Sequence, residues 1–234
     1  MVLTKLRDAD KGSKSRRPST QQRIVLRSIA LFNRYGIPNV AVDRIASDLK
    51  ISPGNLTYHF KRKRDLIRAT LETVKQSLRL ALERPVSVES ARQGAEYLIR
   101  LFRTFWEQRF FFNSLAYLLT DDPRLMSEYT VFSRWVIDTI ESDLMYLAQR
   151  GYFRQPVEPN NFRLLAENIW SQLLQWLRMQ QIESPSATTP SDEAVYSAAL
   201  HLWSLCHLWM DRAFADELLK HFRRLLISRK RTQR

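Results

Sequence analysis

Cysteine and glycine are scarce in this 234-residue sequence, and each shortage limits what the chain can be. The single cysteine, Cys206, excludes a disulfide within the chain and fits a reducing cytoplasm, which is where we expect the protein to lie. Only five glycines are present, and apolar residues follow long amphipathic periods instead of alternating with polar ones. The sequence therefore predicts an almost entirely helical protein.

Long apolar segments are also missing. No uninterrupted run of 18 apolar residues occurs, so we expect no membrane-spanning helix. The N-terminus has no apolar core of the kind found in secretory signals. Apolar residues still make up 44% of the composition, which is enough for a globular fold.

The local patterns that mark most enzymes and metalloproteins are absent from the sequence. It contains no glycine-rich phosphate loop, nucleophile elbow or clustered acid–base set. The four histidines, His59, His201, His207 and His221, lack metal-ligand spacing, since His201 and His207 do not share a helix face. We therefore expect no catalytic site, no metal and no other cofactor.

Positive charge is concentrated at the N-terminal end. Residues 1–68 hold 16 of the 37 lysines and arginines but only 5 of the 24 acidic residues, which is +11 of the total net charge of +13. A basic domain of this kind favours a polyanion partner, here double-stranded DNA. A membrane surface is the rival partner, but the basic part lacks the exposed aromatic face of an interfacial helix.

The N-terminal third reads as a basic arm followed by short helices. Residues 1–19 are predicted to form a flexible arm. Ser19 and Gln22 make a capping-box pattern at the start of a first helix, and Gly36 marks its end. Apolar residues at helical spacing then predict a second, short helix over residues 42–49.

A third helix is predicted in the segment SPGNLTYHFKRK, residues 52–63. Ser52 suits an N-cap, and Pro53 suits the first helical position because its missing N–H would have no partner there. Leu56 and Phe60 share a side with Pro53, while a glycine, a tyrosine and a lysine lie opposite. Two short helices joined by a tight turn, with polar side chains on the second, are typical of a helix-turn-helix DNA-binding head.

Over residues 20–68 the sequence resembles the TetR family of bacterial transcriptional regulators. The segments RIVLRSIALFNRYG, VDRIASDLKIS and SPGNLTYHFKRKRDL carry the resemblance, and S-x-G-N-L-x-Y-H-F is its most specific part. The resemblance implies an all-α homodimer in which three N-terminal helices bind DNA. A larger C-terminal bundle, residues 69–234, would dimerise and often binds a small effector in this family. A weaker similarity in RFFFNSLAYLLTDDPRL points to one subgroup.

Particular DNA contacts follow from the same resemblance. Contact positions are matched by Ser52, Asn55, Thr57, Tyr58 and His59, and Lys63 matches a lysine that meets a phosphate. With the open approach expected at a glycine and the basic flank, the candidate DNA-binding residues are Arg44, Ser52, Pro53, Gly54, Asn55, Thr57, Tyr58, His59, Lys61 and Lys63.

Three positions are less settled. Ala41 stands where the family commonly has a capping threonine, and Lys50 stands where a turn glycine is common. Lys50 would therefore need a less favoured backbone conformation, or the turn differs. A helical wheel places His59 nearer the buried side, whereas the resemblance places it at a phosphate.

Long helices are predicted for the C-terminal part: from Lys63 to about Arg84, from Pro123 to Arg150, and over residues 213–228. Residues 89–119 are rich in aromatic side chains, which would form the walls of an effector pocket between helices. Ordinary core packing is the alternative for each candidate. The candidate ligand-binding residues are Phe102, Phe105, Trp106, Phe110 and Tyr117.

Two further helices, predicted at about residues 159–182 and 191–212, are apolar on nearly all sides. One apolar side of each helix would face the core. The second apolar side is best explained by packing against another subunit, which gives an isologous four-helix interface. A larger core within one chain is the alternative. The candidate interface residues are Ile169, Leu173, Trp176, Leu177, Leu202, Trp203 and Trp209.

These features together predict a sequence-specific DNA-binding transcriptional regulator and not an enzyme. It would be a repressor that binds a palindromic operator as a homodimer and is released by a small apolar or aromatic effector. The alternative is a basic helical scaffold or a membrane-surface protein without operator preference.

Overall fold

The computed structural model describes residues 18–83, 90–120 and 122–231, with side chains through Leu226, so most of the predicted basic arm lies outside the described residues. The described residues form eleven helices: α1 Thr20–Tyr35, α2 Val42–Leu49, α3 Pro53–His59, α4 Lys63–Leu82, α5 Ala91–Glu107, α6 Arg109–Asn113, α7 Leu115–Thr120, α8 Pro123–Gln149, α9 Phe162–Glu183, α10 Asp192–Cys206 and α11 Arg212–Arg231. Their only extended pairing is an isolated β-bridge between Phe153 and Met210. The prediction of an all-α chain is confirmed.

Helices α1, α2 and α3 form the head, and the first turns of α4 complete its core. Ser19 and Gln22 form the predicted capping box at the start of α1, and Gly36 follows its end with a φ of +79°. Burying one large apolar side chain contributes about 1.5–3 kcal/mol to folding. The head core consists of such side chains, all nearly inaccessible to solvent: Ile24, Phe32, Ile45, Leu56, Phe60 and Leu66.

The turn between α2 and α3 has an unusual backbone. Lys50 lies in the left-handed region at φ 56° and ψ 43°, and its N–H donates to Ser47 O at 3.0 Å. This conformation costs a non-glycine residue about 1 kcal/mol or more. Ala41, at the other end of α2, offers no side-chain cap. Of the two alternatives considered for Lys50, a less favoured backbone conformation or a different turn, the structure has the first.

Helices α4 to α11 form the body. Helix α4 leads away from the head, and α5 returns, since its last residue, Glu107, contacts α1. Helix α8 packs on α9, α10 on α9 and α11, and α11 on α5. No helix in residues 18–83, 90–120 and 122–231 combines the length and apolarity needed to cross a bilayer.

Two breaks divide the aromatic region, at Gln108 and Ser114, so that it forms α5, α6 and α7. The prediction that the next-to-last helix continues to residue 212 is wrong, because α10 ends at Cys206. Backbone groups after that point bond to the α8–α9 loop instead: Arg154 N–H donates to Trp209 O at 2.7 Å, and Asp211 N–H donates to Tyr152 O at 2.9 Å.

Two polar contacts hold the head, together with the first turns of α4, on the rest of the body. The guanidinium of Arg68, on α4, donates to both carboxylate oxygens of Asp122 at 2.9 and 2.8 Å. Asp122 also caps α8 by accepting from the Leu125 N–H. The amide of Asn33, on α1, donates to Glu107 O at 2.8 Å. The orientation of α1 is therefore tied to the end of α5.

Candidate DNA-binding surface and effector cavity

Helix α3 presents a polar face to solvent. Ser52 caps it by accepting from the Asn55 N–H at 3.1 Å. Pro53 is exposed although it shares a wheel side with the buried Leu56, because it lies in the first turn. Other exposed side chains on this face are those of Asn55, Thr57 and Tyr58, the last with 85% of its surface accessible.

Gly54 leaves open space on this face. A Cβ built there would meet only Ser52 Oγ, at 4.0 Å, and its φ lies outside the left-handed region. Nothing among the described residues therefore requires glycine at this position, unlike Gly36, whose φ is +79°. A glycine without an internal reason fits a surface that another backbone must approach closely.

Two of the candidate side chains on α3 make local contacts. The Thr57 hydroxyl donates to Pro53 O at 2.9 Å, which leaves its oxygen lone pairs and its methyl group facing outward. His59 is half-buried and meets the Tyr58 ring edge to face, with ring centroids 5.3 Å apart. The imidazole therefore lies at the border between the buried side and the polar face and supports the position of Tyr58.

Lys63 differs from the other basic candidates. Its Nζ donates to Ile37 O at 2.6 Å, and burial lowers its pKa. The side chain joins the start of α4 to the α1–α2 turn, so Lys63 has a partner inside the head, and its phosphate contact stays a prediction. Lys61 is exposed and remains a candidate for that role.

Arginines on α1 and α2 are held in different ways. The Arg44 guanidinium lies 3.8 Å from the ring centroid of Tyr35, and the residue is exposed. Stacking of this kind orders an arginine while leaving its N–H edge available. Arg27 instead forms a two-point ion pair with Asp48, and this hydrogen bonding lowers the pKa of Asp48. Arg44 is therefore the better placed of the two to meet a phosphate.

The body contains a partly open cavity of about 150 Å³. Helices α5, α8, α9, α10 and α11 supply most of its wall, together with Leu82, Phe153 and Met210. Most of the wall is apolar, and its polar lining side chains are those of Tyr97, Asp143, Tyr146, Gln172 and His201.

Two of the five predicted ligand-binding residues, Phe102 and Phe105, line this cavity. Trp106 does not, because it lies in the core, where its indole N–H donates to Thr188 O at 3.3 Å. Phe110 packs against Phe32 of the head, with ring centroids 5.9 Å apart. Tyr117 is 53% exposed on α7. These last three residues do not line this cavity, and a ligand-binding role for them stays a prediction.

Sequence reasoning missed the part of the wall that comes from α8 and α11. Val136, Ile140 and Leu144 come from α8, and Phe214 and Leu218 come from α11. Their spacing follows an ordinary apolar helix period, which does not distinguish a cavity wall from packed core. Asp143 interrupts that period on α8 and was the one available signal.

The predicted dimer residues also need correction. Leu173, Trp176 and Leu177 are at most 8% exposed, and the Trp176 indole N–H donates to Ala194 O at 3.1 Å. The alternative of a larger internal core accounts for these three. Trp203 stacks on His207 and donates to Ala215 O.

The other predicted interface residues are half-buried. Two of them face the cavity instead of a partner subunit. Ile169 and Leu202 line the cavity, as do Leu173 and Trp176. Trp209 lies in the turn between α10 and α11, where its carbonyl accepts from the Arg154 N–H. The outward faces of α9 and α10 are formed by other side chains.

A buried arginine joins three parts of the body. Arg109, on α6, is 4% exposed, and its guanidinium lies 4.4 Å from the Trp106 ring centroid. It donates to Trp106 O at 3.0 Å, to Gln181 Oε1 at 3.0 Å and to Ala187 O at 2.8 Å. Burial lowers the pKa of Arg109 to about 10, so it remains charged at neutral pH. Three acceptors arranged around one planar group fix the α9–α10 loop against the α5–α6 junction.

No side-chain cluster in the described part of the chain has a metal-binding arrangement. Three histidine, cysteine or acidic side chains do not come together there as ligands would. Cys206 lines the cavity and is 2% exposed, and burial raises its pKa to about 12. A thiol that remains protonated is a poor nucleophile and a poor metal ligand.

Comparisons with known proteins agree with this geometry. The family described as "Bacterial regulatory proteins, tetR family" matches residues 24–70, and TetR, described as "Bacterial transcriptional repressor", matches residues 71–230. No curated protein sequence matches the chain.

Solved structures share the fold of this chain. A TetR-family transcriptional regulator from Marinobacter aquaeolei VT8 is 27% identical, with a TM-score of 0.75 over 88% of this chain and 98% of that one. FadR from Bacillus subtilis, in complex with stearoyl-CoA, is 15% identical, with a TM-score of 0.59 over 79% and 96% of the two chains. The SmeT–triclosan complex is 17% identical, with a TM-score of 0.60 over 83% and 93%. The two family matches together span most of the sequence, and the chain belongs to the TetR family of DNA-binding transcriptional regulators.

Proposed function

We propose that this regulator is a repressor that binds a palindromic operator as a homodimer and releases it when a small apolar effector occupies the cavity. The observation that carries the proposal is the exposed face of α3. There Asn55, Thr57 and Tyr58 surround the open space at Gly54, and Lys61 follows the helix. Amide and hydroxyl groups on a short exposed helix suit readout of base edges, and flanking cations suit phosphates.

A revised surface supports the homodimer. Exposed residues of α9 recur at spacings of three and four and therefore share one face. Large apolar side chains lie at its ends, and small, polar or charged residues, Arg178 among them, lie between. Leu200 and Ser204 on α10 and Leu208 in the turn after it have the same character, and a mixed face of this kind suits a self-complementary four-helix contact. The proposed dimer face comprises Leu164, Asn168, Ser171, Gln175, Met179, Ile182, Leu200, Ser204 and Leu208.

The position of the cavity supports release by an effector. Its wall includes Phe105, whose ring lies 5.7 Å from that of Phe112 on α6. Helix α6 in turn contacts the head through Phe110 and Phe32. A ligand that shifts Phe105 would therefore act on the segment that holds α1. It would release DNA only to the extent that it binds the released conformation more tightly.

Selection of DNA fragments by the purified full-length protein tests the function. We expect recovery of a two-fold symmetric sequence whose half-sites lie about 34 Å apart, or a small multiple of that distance. Footprinting on the recovered fragment should then protect both half-sites. Recovery of random fragments alone, with comparable binding to anionic lipid vesicles, would favour the alternative of a basic surface-binding protein and reject the proposal.

A further inference from the structure

The exposed part of the cavity wall lies between α9 and α10. Among the described residues that line the cavity, most are buried or half-buried, and only His201, on α10, is exposed. A side chain that lines a cavity and is also open to solvent lies at the rim of that cavity. Gln172, on α9, lines the cavity as well and is half-buried. These two residues mark the mouth of the partly open cavity.

The packing of the two helices brings Gln172 and His201 to the same part of the seam between them. Helices α9 and α10 pack together and run in opposite directions, since only residues 184–191 connect them. The Trp176 indole N–H crosses the seam to Ala194 O at 3.1 Å. From that contact, Gln172 lies about 6 Å back along α9 and His201 about 10 Å onward along α10. Because the helices are antiparallel, both displacements have the same direction, and the two side chains flank one opening.

The polar groups at the mouth are not used within the subunit. Among the described residues, neither the Gln172 amide nor the His201 imidazole has a hydrogen-bond or ion-pair partner. The other polar side chains of the wall, Tyr97, Asp143 and Tyr146, each have an interaction partner. The unused hydrogen-bonding capacity of the wall is therefore concentrated where the cavity opens.

The mouth adjoins the proposed dimer face. Gln172 is four residues from Asn168 and three from Gln175, so it lies beside both on the surface of α9. His201 is three residues from Ser204 and lies beside it on α10. These three neighbours are exposed, and all of them belong to the proposed dimer face. A partner that covers this face would therefore cover the mouth as well.

An open mouth weakens a site of this composition. A mostly apolar wall binds a ligand by removing apolar surface from water, and a ligand in a partly open cavity keeps one side in water. A second subunit over the mouth would remove that side from water too. The exposed face of α9 in the second copy would also bring amide and hydroxyl groups to Gln172 and His201, because Asn168, Ser171 and Gln175 lie on it.

We infer that the effector site is complete only in the dimer, because the partner subunit closes the mouth of the cavity between α9 and α10. Effector binding and dimerisation then strengthen each other. The inference rests on the proposed function, since it takes the cavity as the effector site and a second copy of the chain as the occupant of the dimer face.

Thiol labelling tests the closure of the mouth and needs no ligand. His201→Cys places a thiol at the mouth, and the native Cys206 adds little background because burial raises its pKa to about 12. We expect iodoacetamide to modify position 201 at least about tenfold more slowly in the dimer than in the same protein carrying Leu200→Glu. The carboxylate added next to position 201 would itself slow the reaction, so it cannot produce this difference.

Two further variants make the labelling result specific. Val131→Cys, on the exposed side of α8, is the matched control and should react equally fast with and without Leu200→Glu. Gln172→Cys repeats the test from α9 and should behave like His201→Cys. Dilution of each thiol variant until the dimer dissociates gives the same comparison without Leu200→Glu. Equal rates in the associated and dissociated protein at both mouth positions would overturn the inference.

Ligand binding gives a second measurement of the same coupling. Toluene is the probe, because an apolar cavity of similar volume in another protein binds benzene. We expect calorimetry to show toluene binding at least about tenfold more tightly to the dimer than to Leu200→Glu. Since coupling between two binding events is reciprocal, saturating toluene should also strengthen self-association in sedimentation. Equal affinity for the two proteins, or no binding by the dimer, would overturn the inference.

Failure of the inference can be told apart from failure of the proposed function. A dimer that protects the mouth and binds toluene but selects no palindromic operator supports the inference and rejects the proposed function. A dimer that selects an operator while position 201 stays reactive overturns the inference and leaves DNA binding intact. A protein that sediments as a monomer at every concentration rejects both.

Discussion

The side-chain oxygen of Asn33 accepts a hydrogen bond from the backbone N–H of Phe110 at 3.0 Å. The nitrogen of the same amide donates to Glu107 O, so one head side chain satisfies two backbone groups on either side of the break between α5 and α6. Both groups follow the cavity residue Phe105 within a few residues of the sequence. We therefore expect a displacement of the α5–α6 break to displace α1 as well.

Replacement of Asn33 by alanine should lower the free energy of unfolding and weaken the coupling between the cavity and the DNA-binding head. Two partly buried backbone groups would lose their partners, at a cost of about 1–3 kcal/mol each if water does not replace the amide. Chemical denaturation measures this loss. The control is Asn39→Ala, which removes one exposed hydrogen bond to Tyr35 O and should cost less. Equal stability of the two variants would contradict the bridging role of Asn33.

Substitution of Gly54 separates DNA binding from folding. Gly54→Leu should keep or slightly raise the melting temperature, because the site has room and leucine is a better helix former by up to about 1 kcal/mol. Operator affinity should fall at least about tenfold, since the side chain would fill the space that DNA needs. Gly36→Ala should show the opposite pattern, losing stability because its φ is +79°. Operator binding by Gly54→Leu at the level of the original protein would reject the close approach.

Base readers and phosphate contacts should respond differently to salt. Lys61→Ala should lower affinity for operator and random DNA alike and reduce the slope of log K against log salt by about one unit. Asn55→Ala should instead relax base preference at one position, at about 1–3 kcal/mol, with the slope nearly unchanged. Titrations of both variants on operator and scrambled duplexes at several salt concentrations provide the measurement.

Lys63→Met supplies the comparison for Lys61→Ala. Lys63→Met should lower the free energy of unfolding in addition to any loss of DNA affinity, because Nζ of Lys63 donates a hydrogen bond to Ile37 O inside the head. If Lys63→Met changed only the salt slope and left stability intact, the internal role of Lys63 would be refuted.

The thiol of Cys206 should be inert in the folded protein. Burial raises its pKa from 9.0 to about 12, so its thiolate fraction at pH 8 falls about a thousandfold. A disulfide reagent should therefore react slowly in buffer and at an ordinary rate in denaturant. Since the folded pKa is the higher one, this group's contribution to stability is present below about pH 9 and is lost as the pH rises toward about 12. Rapid native-state labelling at pH 8 would contradict this.

Charge placed on the revised dimer face should dissociate the subunits without unfolding them. Leu200→Glu puts a carboxylate on the outward face of α10 and should weaken self-association, as measured by sedimentation at several concentrations. Val131→Glu, on the exposed side of α8, is the control and should leave association unchanged. Trp176→Glu would bury a charge inside one subunit and should prevent folding. If Leu200→Glu associated as tightly as the original protein, the proposed dimer face would be rejected.

The head was largely predictable because its signals are local. The cap formed by Ser19 and Gln22, the helix end at Gly36 and the Ser52–Pro53 start of α3 depend on neighbouring residues, and the structure has each of them. The internal hydrogen bond of Lys63 was not predictable, because its acceptor lies 26 residues away in sequence.

The body was predictable in class but not in detail. Apolar periodicity marks Trp176 and Leu177 as buried, yet it cannot state whether their partners come from the same chain or from another. Which aromatic residues line a cavity depends on their position in the folded chain. Phe105 lines the cavity, whereas its sequence neighbour Trp106 lies in the core and donates to Thr188 O. The exposed face of α9 combines polar and apolar residues, so composition alone did not single it out.

Arg109 has a consequence for the way two subunits would meet. Its hydrogen bonds to Gln181 and Ala187 hold the connection between α9 and α10 from inside one protomer. The relative placement of these helices is thus preorganised before a partner arrives. Association would then be the docking of two preshaped surfaces, and little loop entropy would be lost in the encounter.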